Sequence, residues 1–334
     1  MTKPIPAGRW HAGKWRRYLL IATGLLLLFG VMVTPIPLEP SRGLLALENA
    51  AHPPLFGLLA IAALHLFRTR TQTTGSSTPR QYVQAWLVVL VLGAATELAQ
   101  MIGPRESSLS DFVNDLIGAT MALSLYRLYE RRQTPAQNRN RWGSAMLWAL
   151  FGLCLAAALA PLAWTAAAYL HRNAHEPALA DFDTALGRYF VMTQSVETKP
   201  MPIPSRWRQS GDHSALWVEP VSGPWPGVTI EEPLPDWAAY RQLVIDVTNP
   251  GGQTLDLAVR IDDRWHNDRF EDRYNGRFLV APESRTELRV PVPVIRDAGA
   301  DRPLDMHEIR RIIVFQDAAR SMRSFYLNGL RLIE

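Results

Sequence analysis

Cysteine is nearly absent from this chain. Cys154 stands alone, which excludes an internal disulfide framework and any multi-cysteine zinc site. The short motifs of common enzyme classes are missing too: there is no G-x-S-x-G, no Walker A loop, no H-E-x-x-H and no paired Cys-x-x-Cys. Charge is scarce, at 20% of residues with a net +4, while 48% are apolar. That balance excludes a mostly disordered chain. The 334 residues leave room for two domains. The apolar residues are unevenly spread. Most long apolar runs fall before residue 171, and the remainder patterns like a water-soluble domain.

Two runs carry no charge and are long enough to cross a hydrocarbon core as helices: Tyr18 to Ile36, behind Arg16 and Arg17, and Trp142 to Leu170. Three weaker candidates lie between them, at about 50–67, 82–103 and 112–129. These could instead form a buried soluble core, but the flanking spans leave them little else to pack against. Lys3, Arg9, Lys14, Arg16 and Arg17 precede the first span. Arg68, Arg70 and Arg80 follow the second, and Arg127, Arg131, Arg132, Arg139 and Arg141 follow the fourth. The alternate loops hold only Arg42 and Arg105. The positive-inside rule then places the N-terminus in the cytoplasm and everything after residue 171 outside. The basic charge thus reports orientation and calls for no nucleic-acid partner. A cleaved signal peptide is the alternative for the first span, but Thr34-Pro35-Ile36-Pro37 offers no small-x-small cleavage site.

Ionisable groups at membrane depth are costly, by roughly 2.5–3.5 kcal/mol each on insertion scales, and tend to be functional. Here they recur at helical spacing. Glu48 and His52 are four apart, Glu97 and Gln100 three apart, and Asp111, Asp115 and Gly118 four and then three apart. Each set shares one helix face. The linker 103–108, with Arg105 and Ser108, joins the last two sets, so all three fall at the outward-facing ends of their spans. Ser108 or Ser110 could simply cap the fourth helix, and Glu97 could bond a neighbouring helix. Four carboxylates facing Arg105 alone cannot all stay ionised in a low-dielectric pocket. Some are protonated, or a cation or cationic head group completes the site.

The stretch Glu97-Leu98-Ala99-Gln100, then Pro104-Arg105, Ser108, Asp111 and Gly118, resembles the motif region of VanZ-like membrane proteins, and Glu48-x-x-x-His52 is similar to an acidic-x-x-x-His element there. The resemblance covers roughly residues 15–135. Asp115 stands where that family often has Asn, and Glu48-Asn49 where it typically has Asp-Lys. The family is linked to glycopeptide (teicoplanin) resistance, so the resemblance implies a cell-envelope role.

Beyond the last span, Glu176 to Met192 reads as a short amphipathic helix, with Leu179, Phe182, Leu186 and Phe190 spaced by three or four. The Pro-rich 199–205 reads as a stiff linker. From about 206 the pattern switches to period two in eight short runs, at 215–218, 227–231, 243–247, 255–261, 277–281, 286–292, 311–315 and 324–333. Turn signals separate them, which predicts an antiparallel, jelly-roll-like β-sandwich. The order of features resembles galactose-binding-like, carbohydrate-binding-module sandwiches: Leu243-x-Ile-Asp-Val-Thr-Asn249, Leu257-x-Val-x-Ile-Asp262, Arg273-x-Asn-x-x-Phe278 and Leu327-Asn-Gly-Leu330. The loop 262–275 is richest in chemistry. Asp262, Trp265, Arg269, Arg273 and Asn275 combine a ring face with planar hydrogen-bonding groups, as a sugar site requires. A solvated loop of surface ion pairs, or a cation site from Asp262, Asp263 and Asp268, are the alternatives. Trp207, Trp217, Trp225 and Trp237 are expected in core or interface.

The expected architecture is thus an α-helical membrane bundle of five transmembrane helices plus an all-β antiparallel sandwich. Its parts are a VanZ-like four-helix domain (1–135), a fifth transmembrane helix (136–172), a juxtamembrane helix and linker (173–205) and an extracytoplasmic sandwich (206–334). The expected setting is a bacterial cytoplasmic (inner) membrane, crossed several times. The polar membrane site comprises Glu48, His52, Glu97, Gln100, Arg105, Ser108, Asp111 and Asp115. A membrane lipid or lipid-linked envelope precursor is the expected partner there, and a glycan or envelope protein at the sandwich. No cofactor, metal or catalytic residue is assigned. Three functions stay open: a non-enzymatic envelope binding protein, an enzyme acting on an envelope lipid or lipid-linked glycan head group, and a transporter or flippase component.

Overall fold

The computed structural model describes residues 41–71, 75–102, 108–133, 141–320 and 322–334. The expected first span, 18–36, and Arg105 lie outside them. The chain divides into two compact units, Met1–Thr165 and Ala166–Glu334.

The first unit is helical: α1 (Arg42–Arg70), α2 (Pro79–Ile102), α3 (Leu109–Arg132) and α4 (Arg141–Ala174), whose last turns belong to the second unit. These helices cover the stretches at which the four later spans are expected, with ends that differ by one to eight residues. The starts are legible locally. Ser41 caps α1, its Oγ accepting from the Leu44 amide at 3.1 Å. Thr78 and Gln81 form a reciprocal capping box at α2, each amide donating to the other's side chain at 2.8 and 3.4 Å, with Pro79 in the first turn.

Helices α1, α2 and α3 pack around Phe56, Leu59, Leu64, Ala85, Val89, Ala119 and Leu123. Small residues allow the α1–α3 approach. A Cβ on Gly118 would stand 2.1 Å from the Pro53 carbonyl oxygen, and one on Gly57 would stand 3.0 Å from Ala122 Cβ. Among the described residues three helices, α1, α2 and α4, are long and apolar enough to cross a membrane. Helix α3, the predicted fourth span, is not among them. It carries Asp111, Asn114, Asp115 and Ser124 among its apolar residues, and Asp111, Asp115, Gly118, Ala119 and Leu123 are buried. Its polar face is therefore sheltered inside the bundle. On α4, by contrast, Trp142, Met146, Leu153, Trp164 and Leu170 are exposed.

The end of this unit formed by the α1 C-terminus, the start of α2 and the α3 C-terminus is tied at Glu130. Its Oε1 accepts from the Ser77 amide and hydroxyl at 2.8 and 2.7 Å. Its Oε2 accepts from Tyr82 at 2.9 Å and Arg127 at 3.0 Å, and Arg68 stands 3.4 Å from Oε1.

The second unit is an antiparallel β-sandwich. The strands are β1 (Ala178–Ala180), β2 (Val191–Gln194), β3 (Val196–Pro202), β4 (Ser214–Pro220), β5 (Gly227–Glu231), β6 (Gln242–Asn249), β7 (Leu255–Asp263), β8 (Tyr274–Val280), β9 (Ser284–Pro291), β10 (Ile309–Phe315) and β11 (Phe325–Ile333), with a short helix α5 (Val292–Arg296) after β9. One sheet runs β3-β4-β11-β6-β9 with β1 also on β11, and the other runs β2-β5-β10-β7-β8. All eight period-two runs are strands. Their inward positions, including Leu243, Ile245, Val247, Leu257, Val259, Ile261, Ile312 and Val314, fill the core between the sheets.

Two expectations are corrected. The segment 176–192 is not a helix. It forms β1, a turn and a short 3-10 stretch, Gly187–Phe190, that leads into β2. Side chains take two of the amides that a helix would give to carbonyls: Asp181 accepts from the Asp183 amide at 2.8 Å, and Thr184 from the Gly187 amide at 2.9 Å. Leu179, Phe182 and Phe190 are core residues, as their spacing suggested, but from a strand and turns. Nor is 199–205 a free linker, since most of it belongs to β3. Pro200 and Pro202 are tolerated because β3 is an edge strand, where a missing amide breaks no ladder. The sandwich therefore begins before residue 206.

Candidate functional site

The outward face of the β2-β5-β10-β7-β8 sheet carries a groove. Strand register builds it in rows. Thr229, Ile313, Arg260 and Asn275 lie side by side across β5, β10, β7 and β8, and Gln194, Gly227 and Phe315 form a second row. Alternation turns these side chains away from the core. Trp225, just before β5, and Phe270, in the loop before β8, complete the lining of a depression of about 460 Å³, within the usual size of small-ligand sites, roughly 300–1,000 Å³. A second depression shares Phe270, Arg273 and Asn275 with it.

Its geometry is held from below. Phe315 meets Trp225 edge to face at 6.0 Å between ring centroids. Gly227 makes room for Phe315, since a Cβ there would stand 2.4 Å from the Phe315 Cβ. Arg260 donates through Nε to Asp262 at 2.8 Å, and Arg311 pairs with the same carboxylate from the other side. Asp262 is wholly buried. Burial opposes its ionisation, yet the hydrogen bonds and charges of Arg260 and Arg311 hold its carboxyl below the usual range. Arg273 lies over the Phe270 ring at 5.1 Å and donates to Asn275 at 3.0 Å, while Asn275 donates to the Phe270 carbonyl at 3.0 Å. Burial, with Arg260 nearby, pushes the Arg273 guanidinium down from its ordinary value. The groove thus offers three aromatic rings, planar donors fixed in orientation and two amides, Gln194 and Asn275.

Of the residues expected at a glycan site, Arg273 and Asn275 line this groove. Asp262 lies beneath it as an anchor for Arg260. Trp265 and Arg269 are not among the lining residues. Trp265 is exposed beside Arg264, and Arg269 reaches Asp301 at 3.4 Å. The alternative cation site does not assemble: Asp262 is taken by Arg260 and Arg311, Asp263 by Arg302, and the Asp268 side chain is exposed. Trp237 and Trp217 follow the core expectation, Trp237 wholly buried and Trp217 tilted on Tyr326 at 4.6 Å. Trp225, Phe270, Phe315 and Arg260 were missed, although the alternation of Arg260 and Phe315 with core residues already marked them as outward.

In the first unit, most of the predicted polar site is brought together. His52 Nδ1 lies 2.8 Å from Asp115 Oδ1, both side chains almost fully buried, and the His52 ring stacks on Phe56. Glu97 accepts from the Ser108 amide at 2.8 Å, which ties α2 to the N-cap residue of α3, while the Ser108 hydroxyl shares a hydrogen bond with Ser110 and makes no cap bond. His52, Glu97, Asp111 and Asp115 are within electrostatic reach of one another. His52 Nε2, Asp111 Oδ1 and Asp115 Oδ2 are buried and have no hydrogen-bond partner among the described residues. Glu48 is half-buried one turn before His52, and Gln100 is buried one turn beyond Glu97. An apolar layer from Phe56 to Leu123 separates this cluster from the Glu130 end.

No family model matches the chain, and no curated protein matches it. The C-terminal part resembles carbohydrate-binding-module sandwiches among solved structures. One is the family 11 carbohydrate-binding module from Clostridium thermocellum in complex with a β-1,3-1,4-mixed-linked tetrasaccharide, 16% identical, covering 47% of this chain and 94% of that one with a TM-score of 0.37. Another is a CBM22-1 xylan-binding domain from Paenibacillus barcinonensis, 13% identical, covering 46% and 92% with a TM-score of 0.33. An exo-β-agarase is similar at 11% identity and a TM-score of 0.39, over 47% of this chain but only 24% of its own length. Likeness at this level concerns the kind of sandwich and says nothing of a ligand.

Proposed function

We propose that this is a multi-pass membrane protein of the cell envelope that holds its sandwich outside the cytoplasm and binds carbohydrate in the groove over β5, β10, β7 and β8. One observation carries the reading: Trp225, Phe270 and Phe315 share that groove with Arg260, Arg273, Asn275 and Gln194. Sugar rings have apolar faces that rest on aromatic rings, and hydroxyls that pair with fixed, often bidentate, planar groups. The membrane setting rests on three long apolar helices, on the exposed apolar surface of α4 and on the bias of Lys and Arg in the connecting loops. The VanZ-like resemblance of 15–135 accords with an envelope role. The test is binding of the full-length protein in nanodiscs to a panel of envelope and plant polysaccharides. Saturable binding is expected, and Trp225→Ala should weaken it by about 2 kcal/mol, roughly thirtyfold. No saturable binding across the panel, or unchanged affinity in Trp225→Ala and Arg260→Ala, overturns it.

A second reading, an enzyme acting on an envelope lipid head group, is favoured by one feature of the bundle. Asp115 orients His52 through Nδ1 and leaves Nε2 without a partner among the described residues, as an acid-base pair requires. Cells carrying His52→Gln or Asp115→Asn should then accumulate an altered lipid or lipid-linked glycan. A lipid profile identical to wild type in both removes this reading.

A further inference from the structure

The final turns of α4 carry His171 and His175, one helical turn apart, so both imidazoles leave the same side of the helix. Their ring centroids are 4.0 Å apart. Asp181, immediately after β1, reaches back to them, its Oδ2 2.9 Å from His171 Nε2. One nitrogen of each ring and one Asp181 oxygen all lie within 4.8 Å of one another. We infer that His171, His175 and Asp181 form a binding site for a divalent transition-metal ion of the zinc type. Two imidazoles and a carboxylate are a donor set such ions take, at bond lengths of about 2.0–2.2 Å, with a fourth position open to water. Tetrahedral ligand atoms then stand about 3.3 Å apart. The His171–Asp181 pair now shares a direct hydrogen bond at 2.9 Å, so an ion entering there displaces the bridging proton and opens the pair by about 0.4 Å, and the exposed His175 ring swings in to join them.

The surroundings support ligation. His175 Nδ1 lies 2.7 Å from the His171 carbonyl, which can only accept. The proton of the neutral ring therefore sits on Nδ1, and Nε2 keeps its lone pair, the form a metal takes. Asp181 is oriented by the Asp183 amide on Oδ1 at 2.8 Å and by the Thr184 hydroxyl on Oδ2 at 2.9 Å. Gly187 leaves room for it, since a Cβ there would stand 2.6 Å from Asp181 Oδ2 and 2.4 Å from its carbonyl. The helix end is clamped by Arg172, which lies over the Tyr169 and Phe190 rings at 4.9 and 5.2 Å and donates to the Glu232 carbonyl at 2.6 Å. The sequence hides this set. Had 176–192 continued as a helix, Asp181 would lie about 15 Å along the axis from His171. The strand and turn bring it back.

The test uses the full-length protein in detergent, stripped with EDTA and titrated with Zn²⁺ against a chromogenic chelator. Wild type should take up about one equivalent. His175→Ala should bind at least about tenfold more weakly. His307→Ala, at an exposed histidine paired with Asp236 at 3.1 Å, should match wild type. Because His175 is exposed, its variant should melt like wild type in EDTA, which separates lost ligation from lost folding. Co²⁺ added in place of zinc should give visible bands that disappear in His175→Ala. Absence of stoichiometric binding, or equal affinity in wild type and His175→Ala, overturns the inference and leaves His171–Asp181 as a structural ion pair. The outcome is independent of whether the groove binds carbohydrate.

Discussion

Asp262 offers the sharpest test of how the groove is held. Its carboxylate is wholly buried and pairs with Arg260 at 2.8 Å on one side and with Arg311 on the other, the two guanidiniums themselves only partly exposed. Asp262→Asn keeps the shape and one acceptor but removes the charge both arginines need. Breaking a buried pair by neutralising one partner costs about 3–5 kcal/mol, because charge is left in a poorly solvated place. For a unit of this size each kcal/mol moves the melting temperature by about 2–4 °C, so the expected loss is roughly 6–20 °C. The pH dependence is fixed in sign. The folded Asp262 carboxyl lies below its unfolded value of about 3.9, so its stabilisation is complete above that value and is lost as pH falls through the folded one. The gap between wild type and Asp262→Asn should therefore be widest near neutrality and close in acid. Melting followed by the far-ultraviolet circular dichroism of the β-sandwich measures it. A variant that melts within about 2 °C of wild type near neutrality, or a gap that persists unchanged into acid, refutes the account of Asp262 as the charge anchor of the groove.

Two further outcomes concern the helical unit. Gly118→Ala places a Cβ against the Pro53 backbone, which cannot yield as a flexible side chain would. The α1–α3 contact should loosen by about 1–3 kcal/mol or more, read as a lower unfolding midpoint in mixed detergent, and an unchanged midpoint would contradict the close crossing. Glu130→Ala strands the Ser77, Tyr82 and Arg127 donors together and should cost about 3–5 kcal/mol, whereas Glu130→Gln should cost less. A Glu130→Gln midpoint equal to wild type would show that the charge of Glu130 contributes nothing, and equal midpoints for the two variants would show that the acceptor Gln retains contributes nothing.

The strands from 214 to 333 were readable because one buried face imposes period two, and Leu255, Leu257, Val259 and Ile261 obey it strictly. Helices α1, α2 and α4 were readable because an apolar run of that length has few other uses. The segment from 176 to 202 was misread for a physical reason. Spacings of three and four also arise when a strand, a turn and a 3-10 stretch each send a side chain into one core, and proline at an edge strand looks like proline in a linker. The groove was half legible. Loop 262–275 stands out by composition, but Trp265 and Arg269 are rich in chemistry without lining the cleft, while Trp225 looks like an ordinary core residue.

By itself the sequence determined the division into an apolar helical part and an alternating β part, the strand positions after 214 and the helical faces on which His52, Glu97, Asp111 and Asp115 lie, because all of these follow from local periodicity. Only the tertiary structure decided which of those side chains meet. His52 with Asp115, Arg260 with Asn275, and His171 with Asp181 are joined by helix crossing, strand register and chain reversal, and none of these leaves a period in the chain.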